Sequence, residues 1–202
     1  MPSVIAQEFF VQWHLTERCN LNCTHCYQTG GRSDELSIAE IGEALTEITA
    51  MIDSWQAAYG LEFERSLNVT GGEPLLRRDL FEILALMRDQ GFALYLLSNG
   101  TLIDPEKARQ LAALQVAGVQ VSIEGPKEIH DQIRGQGSFV AACRGVSDLL
   151  AAGLQVTLNA TLSEINADCF GEIIEIADKL GAQRLGFSRL VPSGRVWAWS
   201  IG

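Results

Sequence analysis

The alternation of strand-like and helix-like segments constrains the fold of this chain more than any other feature. The clearest helical segment begins at a capping box, Ser37 with Glu40, and continues with apolar residues at steps of three and four. Short apolar and β-branched runs separate such segments. This order predicts a parallel α/β architecture. Strands are expected at residues 10–16, 66–70, 93–98, 118–124, 154–162 and 184–190.

The topology of the predicted sheet has two solutions. Right-handed crossovers between parallel strands permit an open barrel or a doubly wound sheet, and hydrophobic periodicity alone does not separate them. The polar motifs of the chain fall directly after strands, where parallel α/β proteins form their ligand sites. No low-complexity linker interrupts the sequence, so we expect one domain over residues 1–202.

Composition and charge narrow the setting. The chain is 47% hydrophobic and 20% charged, with a net charge of −10. The negative charge argues against a nucleic-acid partner, because phosphate binding needs a basic surface. No apolar run is long enough to span a membrane, and the N-terminus lacks the basic start of a signal peptide. We therefore expect a cytoplasmic protein without membrane contact, in which clustered cysteines indicate metal or redox chemistry.

Three of the five cysteines lie in one short segment, "ERCNLNCTHCYQTG". They are Cys19, Cys23 and Cys26. A disulfide needs two thiols and a closed zinc site usually needs four ligands, so three thiolates leave a metal centre with one position to fill. The alternative is a zinc site of three cysteines and one histidine, with His25 or His14 as the fourth ligand.

The spacing Cys19-x3-Cys23-x2-Cys26, placed after a first strand and followed by Tyr27, resembles the cluster motif of radical S-adenosylmethionine (SAM) enzymes. The family often has an aromatic residue before the last cysteine, where this chain has His25. The resemblance implies an α/β fold, a partial (β/α)6 TIM-like barrel with parallel strands.

A second motif follows the second strand. The segment Gly71, Gly72, Glu73, Pro74 is similar to the Gly-Gly-Glu-Pro segment with which the family binds the amino group of SAM. Two glycines let a backbone approach a ligand closely. Alone the segment is also a good turn, but after the cysteine motif it supports the resemblance.

The resemblance implies two cofactors. Three thiolates would hold three irons of a [4Fe–4S] cluster, and the amino and carboxylate groups of SAM would chelate the fourth. Reduction of bound SAM would then yield a 5′-deoxyadenosyl radical for hydrogen abstraction. The chain would be a radical SAM enzyme of the oxidoreductase or maturase type. Because the cofactors carry the difficult step, we assign no catalytic side chain.

The resemblance also implies the remaining cofactor contacts. Ser98 and Ser122 would reach the carboxylate or ribose of SAM, Asn159 would lie near the ribose, and Leu190 would pack on the adenine. Arg134 would pair with the SAM carboxylate. The plainer alternatives are satisfied turn or strand-end hydroxyls for the serines and a solvated surface turn around Arg134.

The segments "VSIEGPKEIHDQIRGQGSF" and "VPSGR" most resemble the SPASM-type branch, whose members modify ribosomal peptides or mature enzymes and cofactors. The implied partners are a flavodoxin- or ferredoxin-type electron donor and a peptide or protein substrate. Those relatives usually continue into a C-terminal domain with auxiliary clusters, so we expect a fragment or a minimal member. The alternative is a non-catalytic metal-binding protein that acts through a partner.

Overall fold

The sheet is parallel throughout and follows the order of the sequence. The computed structural model describes residues 7–28, 34–191 and 193–195. Each strand pairs with the next, without the reversal of strand order that defines a doubly wound sheet, and the sheet curls into a partial barrel. The predicted partial (β/α)6 barrel is therefore confirmed. The strands are β1 (Gln7–His14), β2 (Phe63–Thr70), β3 (Ala93–Ser98), β4 (Gly118–Ser122), β5 (Val156–Leu162) and β6 (Arg184–Arg189).

Helices cover the convex face of the sheet. The first begins at the predicted capping box, in which the Ser37 hydroxyl accepts from the Glu40 amide and the Glu40 carboxylate accepts from the Ser37 amide. None of the helices that the structure describes has the length and apolar character needed to cross a membrane. The helices are α1 (Ile38–Tyr59), α2 (Leu80–Asp89), α3 (Pro105–Ala113), α4 (Lys127–Arg134), α5 (Ser138–Ala151) and α6 (Phe170–Leu180).

Helix α4 was not among the expected elements. Its sequence is polar, yet His130 and Asp131 are buried. The Asp131 carboxylate accepts from the amides of Gly137 and Phe139, at the start of α5. A polar network rather than an apolar stripe therefore fixes α4, which places Arg134 in its last turn.

Alternation along the strands separates the core from the site. On β2 and β4 the buried residues Leu67, Val69, Val119 and Val121 pack in the core beneath the helices. Successive side chains of a strand point to opposite faces. The alternate residues, such as Ser122, therefore face the concave side of the sheet, where they are available to a ligand.

Candidate functional site

A cavity of about 480 Å³ opens at the C-terminal ends of the strands. Its wall is built from the loops after β1 and β2 and from the ends of β3 to β6. Ten of the twelve site residues predicted from the sequence line it, and two, Glu73 and Pro74, do not. The ten are Cys19, Cys23, Cys26, Gly71, Gly72, Ser98, Ser122, Arg134, Asn159 and Leu190.

The three cysteines are free thiols on one wall of this cavity. The Cys19 Sγ lies 3.4 Å from the Leu21 amide nitrogen and 3.9 Å from the Asn99 Nδ2, so two N–H groups are directed at this sulfur. Such hydrogen bonds are typical of cysteines that bind iron–sulfur clusters. Burial raises the pKa of Cys19 and of Cys23, so a metal must displace thiol protons when it binds. The donor set fits an iron–sulfur cluster.

The cysteine loop is tied to distant parts of the chain. The Thr24 amide donates to the Ile133 carbonyl at 2.9 Å, which fastens the loop to the end of α4. On the other side, the Arg195 amide donates to the Cys26 carbonyl at 3.0 Å. Hydrogen bonds on both sides therefore fix the position of the cysteine loop.

The two glycines of the Gly-Gly-Glu-Pro segment are required by a close approach of two backbones. The Gly72 amide donates to the Thr16 carbonyl at 2.7 Å. A Cβ built on Gly72 would lie 2.3 Å from the Arg18 carbonyl oxygen, and one on Gly71 would lie 2.4 Å from the Thr16 carbonyl oxygen. A side chain at Gly72 would therefore displace the backbone beside Cys19, in addition to any effect on a ligand.

Glu73 is fully buried behind the cavity wall. Its carboxylate accepts from the Asn99 amide at 2.8 Å, the Leu75 amide at 3.1 Å and the Ser98 hydroxyl at 3.0 Å. Burial raises its pKa against these hydrogen bonds. Glu73 thus joins the turn after β2 to the end of β3. Its carboxylate also accepts the hydrogen bond that the Ser98 hydroxyl could otherwise donate to a ligand.

Glu124 is the second fully buried carboxylate at this rim. Its Oε1 accepts from the Arg134 Nε at 2.8 Å and lies 3.4 Å from the His25 Nε2. Its Oε2 accepts from the Thr161 amide at 2.8 Å. Burial opposes ionisation, but Arg134 and His25 outweigh it and lower the pKa of Glu124 to about 2. One ionised carboxylate therefore connects the cysteine loop, α4 and β5.

The backbone of Glu124 is held as firmly as its side chain. Its amide donates to the His130 Nδ1 at 3.1 Å, and its carbonyl accepts from the Asn166 Nδ2 at 2.8 Å. Burial lowers the pKa of His130 to about 4, which keeps this imidazole neutral and able to accept. Glu124, Asn166 and Asn99 had no predicted role. The sequence signal for Glu124 was a carboxylate placed directly after a buried strand.

The remaining predicted residues come together on the far wall. Ser122, at the end of β4, and Asn159, in the middle of β5, are register partners. The Asn159 Oδ1 accepts from the Ser188 hydroxyl at 3.2 Å, and Leu190 follows β6. Arg134 is a buried cation paired with Glu124 rather than part of a solvated turn. The contacts of these residues with SAM stay predictions.

The histidines named for a zinc site have other neighbours. The His14 Nδ1 lies 3.3 Å from the Tyr27 hydroxyl, and the His25 Nε2 faces Glu124. The buried His25 Nδ1 has no hydrogen-bond partner within the described part of the chain. Among the described residues, no three His, Cys, Asp or Glu side chains converge on a single metal ion, and this includes the three cysteines. A cluster differs from a zinc site in this respect, because each thiolate binds a different iron. The zinc site stays a prediction that metal analysis decides.

Comparison with known proteins identifies a family and named relatives. Residues 13–177 match the model of the radical SAM superfamily. The Fe-coproporphyrin III synthase of Methanosarcina barkeri is 35% identical over 189 residues, which cover 92% of this chain and 45% of that protein. The mycofactocin maturase MftC of Mycobacterium tuberculosis is 36% identical over 193 residues, which cover 92% of this chain and 46% of that protein. The chain thus spans less than half the length of these two relatives.

Among solved structures, Streptococcus suis SuiB bound to its precursor peptide SuiA superposes with a TM-score of 0.73 at 14% sequence identity. The superposition covers 94% of this chain and 40% of SuiB. At that identity the likeness supports the fold alone.

Proposed function

The chain belongs to the radical SAM superfamily, and from this premise we propose that it cleaves SAM reductively at a [4Fe–4S] cluster held by Cys19, Cys23 and Cys26. One observation carries the proposal: the three thiols line the same cavity as the glycine turn after β2 and the ends of β4 to β6. Cys19, Cys23 and Cys26 would hold the cluster, which when bound would supply the electron for reductive cleavage of SAM and so allow hydrogen abstraction from a substrate.

The residues of the cavity have distinct tasks in this proposal. Gly71 and Gly72 expose backbone to the cavity beside the cysteines, where the amino group of SAM would bind. Ser122 and Arg134 would orient its carboxylate, while Asn159 would contact the ribose and Leu190 the adenine. Ser98 acts indirectly, because its hydroxyl holds the carboxylate of Glu73.

The substrate class follows from the relatives. One relative is named a maturase and another a synthase of an iron tetrapyrrole, and SuiB is bound to a precursor peptide. We propose that the chain modifies a ribosomal peptide or matures a protein or cofactor, as a single core domain over residues 1–202. A flavodoxin- or ferredoxin-type donor would supply electrons in the cytoplasm, whose reducing conditions preserve the thiols.

The test is anaerobic reconstitution with iron and sulfide, followed by iron counting and chromatography of SAM products. We expect a brown protein that forms 5′-deoxyadenosine when reduced. Replacing Cys19, Cys23 or Cys26 with Ala should remove the cluster, since two thiolates do not retain it. Cys143→Ala and Cys169→Ala are matched controls that should keep the iron. Loss of iron from either control would overturn the ligand assignment.

The alternative, a non-catalytic metal protein, gives a different result in the same experiment. The specific observation in its favour is the buried His25 Nδ1, which lies in the cavity wall without a partner among the described residues. A zinc protein with His25 as ligand would be colourless, would contain zinc, and would lose it in His25→Ala.

A further inference from the structure

The cavity has a charge pattern opposite to that of the whole protein. The chain carries 25 Asp and Glu against 15 Lys and Arg, yet none of the residues that line the cavity is Asp or Glu. The residues outside the described ranges include no Asp or Glu either, so every acidic side chain has been located. Two arginines, Arg134 and Arg189, do line the cavity. Apart from the three cysteines and His25, the ionisable groups of its wall are therefore these two arginines and Tyr27.

One of these two arginines, Arg134, already has a charged partner within the protein. Arg134 donates through Nε and Nη2 to the ionised Glu124, which offsets its charge. Arg189, the last residue of β6, makes no side-chain hydrogen bond or ion pair with any described residue. A guanidinium is a cation that presents five donors in a planar fork, which matches a carboxylate.

The surface next to Arg189 is apolar. Leu190 and Val191 follow it along the chain, and Leu97 and Tyr27 also line the cavity. Val191 and Tyr27 are more than half exposed. The wall therefore combines one cation with an adjoining apolar surface.

We propose that Arg189 binds a carboxylate of the substrate, and that the substrate carries this carboxylate next to an apolar group. This inference rests on the proposed function and adds the chemical class of the substrate to it. A propionate side chain of a tetrapyrrole and the carboxyl terminus of a peptide share this chemistry. The arginine would act in binding and orientation, with no proton or electron transfer of its own.

Two other uses of the Arg189 charge must be separated from this one. Arg189 could offset the negative charge of a cluster bound by three thiolates, in which case its removal would lower iron content. It could instead bind the carboxylate of SAM, in which case its removal would weaken SAM binding. Iron content tests the first alternative, and SAM affinity tests the second.

The experiment compares two small probes that differ only in charge, 3-phenylpropionate and 3-phenylpropionamide. Binding is followed by saturation-transfer NMR on the anaerobic reconstituted protein, and broadening of the probe signals by the reduced cluster reports proximity to the cavity. We expect the acid to bind about tenfold more tightly than the amide, as for a charge-assisted hydrogen bond. The overall negative charge of the protein works against this preference.

Variants on the same strand locate the effect. Arg189→Gln should lose the tenfold preference, and Arg189→Lys should retain part of it because the charge remains. Arg184→Gln is the matched control, because Arg184 begins β6 and lines a separate cavity at the opposite end of the sheet. It should bind both probes like the unmodified protein.

Porphyrin and peptide probes then distinguish the two possible sources of the substrate carboxylate, a tetrapyrrole propionate and a peptide carboxyl terminus. Coproporphyrin III is compared with its tetramethyl ester, and an aromatic-ended pentapeptide acid with its amide, on the protein and on Arg189→Gln. The source whose acid form loses about tenfold in affinity with Arg189→Gln is the one that the site binds.

Four results would overturn the inference: equal binding of phenylpropionate and its amide, unchanged acid binding in Arg189→Gln, loss of iron in that variant, or a loss of SAM affinity as large as the loss of acid binding. The iron content and SAM response of the unmodified protein decide the proposed function separately. A protein that passes both and still binds acid and amide equally rejects this inference alone.

Discussion

Two buried glutamates, Glu73 after β2 and Glu124 after β4, are held at the same rim of the sheet by opposite means. Glu73 is surrounded by neutral donors, namely two backbone amides and the Ser98 hydroxyl. Glu124 is surrounded by the cation Arg134, by His25 and by one backbone amide. Burial raises the pKa of Glu73, while Arg134, together with the hydrogen bond from His25, brings that of Glu124 down to about 2.

The two carboxylates therefore have different structural roles. Neutral donors orient Glu73 without a counter-charge, so this carboxylate mainly joins the glycine turn to β3. At Glu124 the ion pair reaches the cysteine loop through His25 and α4 through Arg134. The positions of the three cysteines should therefore depend more on Glu124 than on Glu73.

The largest effect should come from Glu124→Gln. Removing one partner of a buried ion pair leaves Arg134 uncompensated, which costs roughly 3–5 kcal/mol of unfolding free energy. Urea unfolding of the metal-free protein measures this loss. Adding Arg134→Met should recover part of it, because the unpaired charge is then removed as well. An unchanged midpoint in Glu124→Gln would show that the ion pair does not stabilise the fold.

The pH dependence of stability should have opposite signs at the two sites. The folded pKa of Glu124, about 2, lies below the ordinary value of 4.5. Its contribution, roughly 3 kcal/mol, is thus present above pH 4.5 and is lost as the pH falls toward 2. The raised pKa of Glu73 gives a contribution that is present below pH 4.5 and is lost as the pH rises.

Urea unfolding of the unmodified protein, Glu124→Gln and Glu73→Gln from about pH 7 to about pH 3 tests these signs. On acidification the cost of Glu124→Gln should shrink and that of Glu73→Gln should grow. Two costs that change in the same direction would remove the contrast between the sites.

A smaller effect is expected from Glu73→Gln at neutral pH. The amide leaves one buried donor without an acceptor, which costs about 1–3 kcal/mol, but it also avoids burying a charge. We expect a net loss of about 1–2 kcal/mol in urea unfolding, below that of Glu124→Gln. Equal losses of unfolding free energy in Glu73→Gln and Glu124→Gln would show that the fold depends on the two carboxylates to the same extent.

The smallest effect should come from Ser98→Ala. It removes the hydrogen bond from this neutral donor to Glu73, worth about 1 kcal/mol, and the acceptor of the Gly100 amide. Ser122→Ala is the matched control, because the Ser122 hydroxyl makes no hydrogen bond with the described residues, and it should stay within about 0.5 kcal/mol. A Ser98→Ala protein as stable as the control would show that this hydroxyl does not hold Glu73.

Most of the fold was predictable from local pattern. All six strands and the cap at Ser37 follow from periodicity and capping chemistry that neighbouring residues encode. Helix α4 was missed because its buried residues His130 and Asp131 are polar and are satisfied by partners on other segments. The spacing of apolar residues does not predict such a helix.

The candidate site was predictable where motifs exist and not where partners are distant in sequence. The cysteine spacing and the glycine turn identified one wall of the cavity. The pairing of Glu124 with Arg134 and His25 depends on a loop, a strand end and a helix meeting in space. The close approach of Gly72 to the Arg18 carbonyl also depends on the fold, because the two residues are far apart in sequence.

The central claim, that three cysteines at this rim hold a cluster within reach of SAM, has one direct test. The electron paramagnetic resonance spectrum of the reduced, anaerobically reconstituted protein is recorded before and after addition of SAM. We expect the signal of a reduced [4Fe–4S] cluster and a spectrum that changes with SAM. A protein that contains zinc, or an iron protein whose spectrum does not respond to SAM, would contradict it.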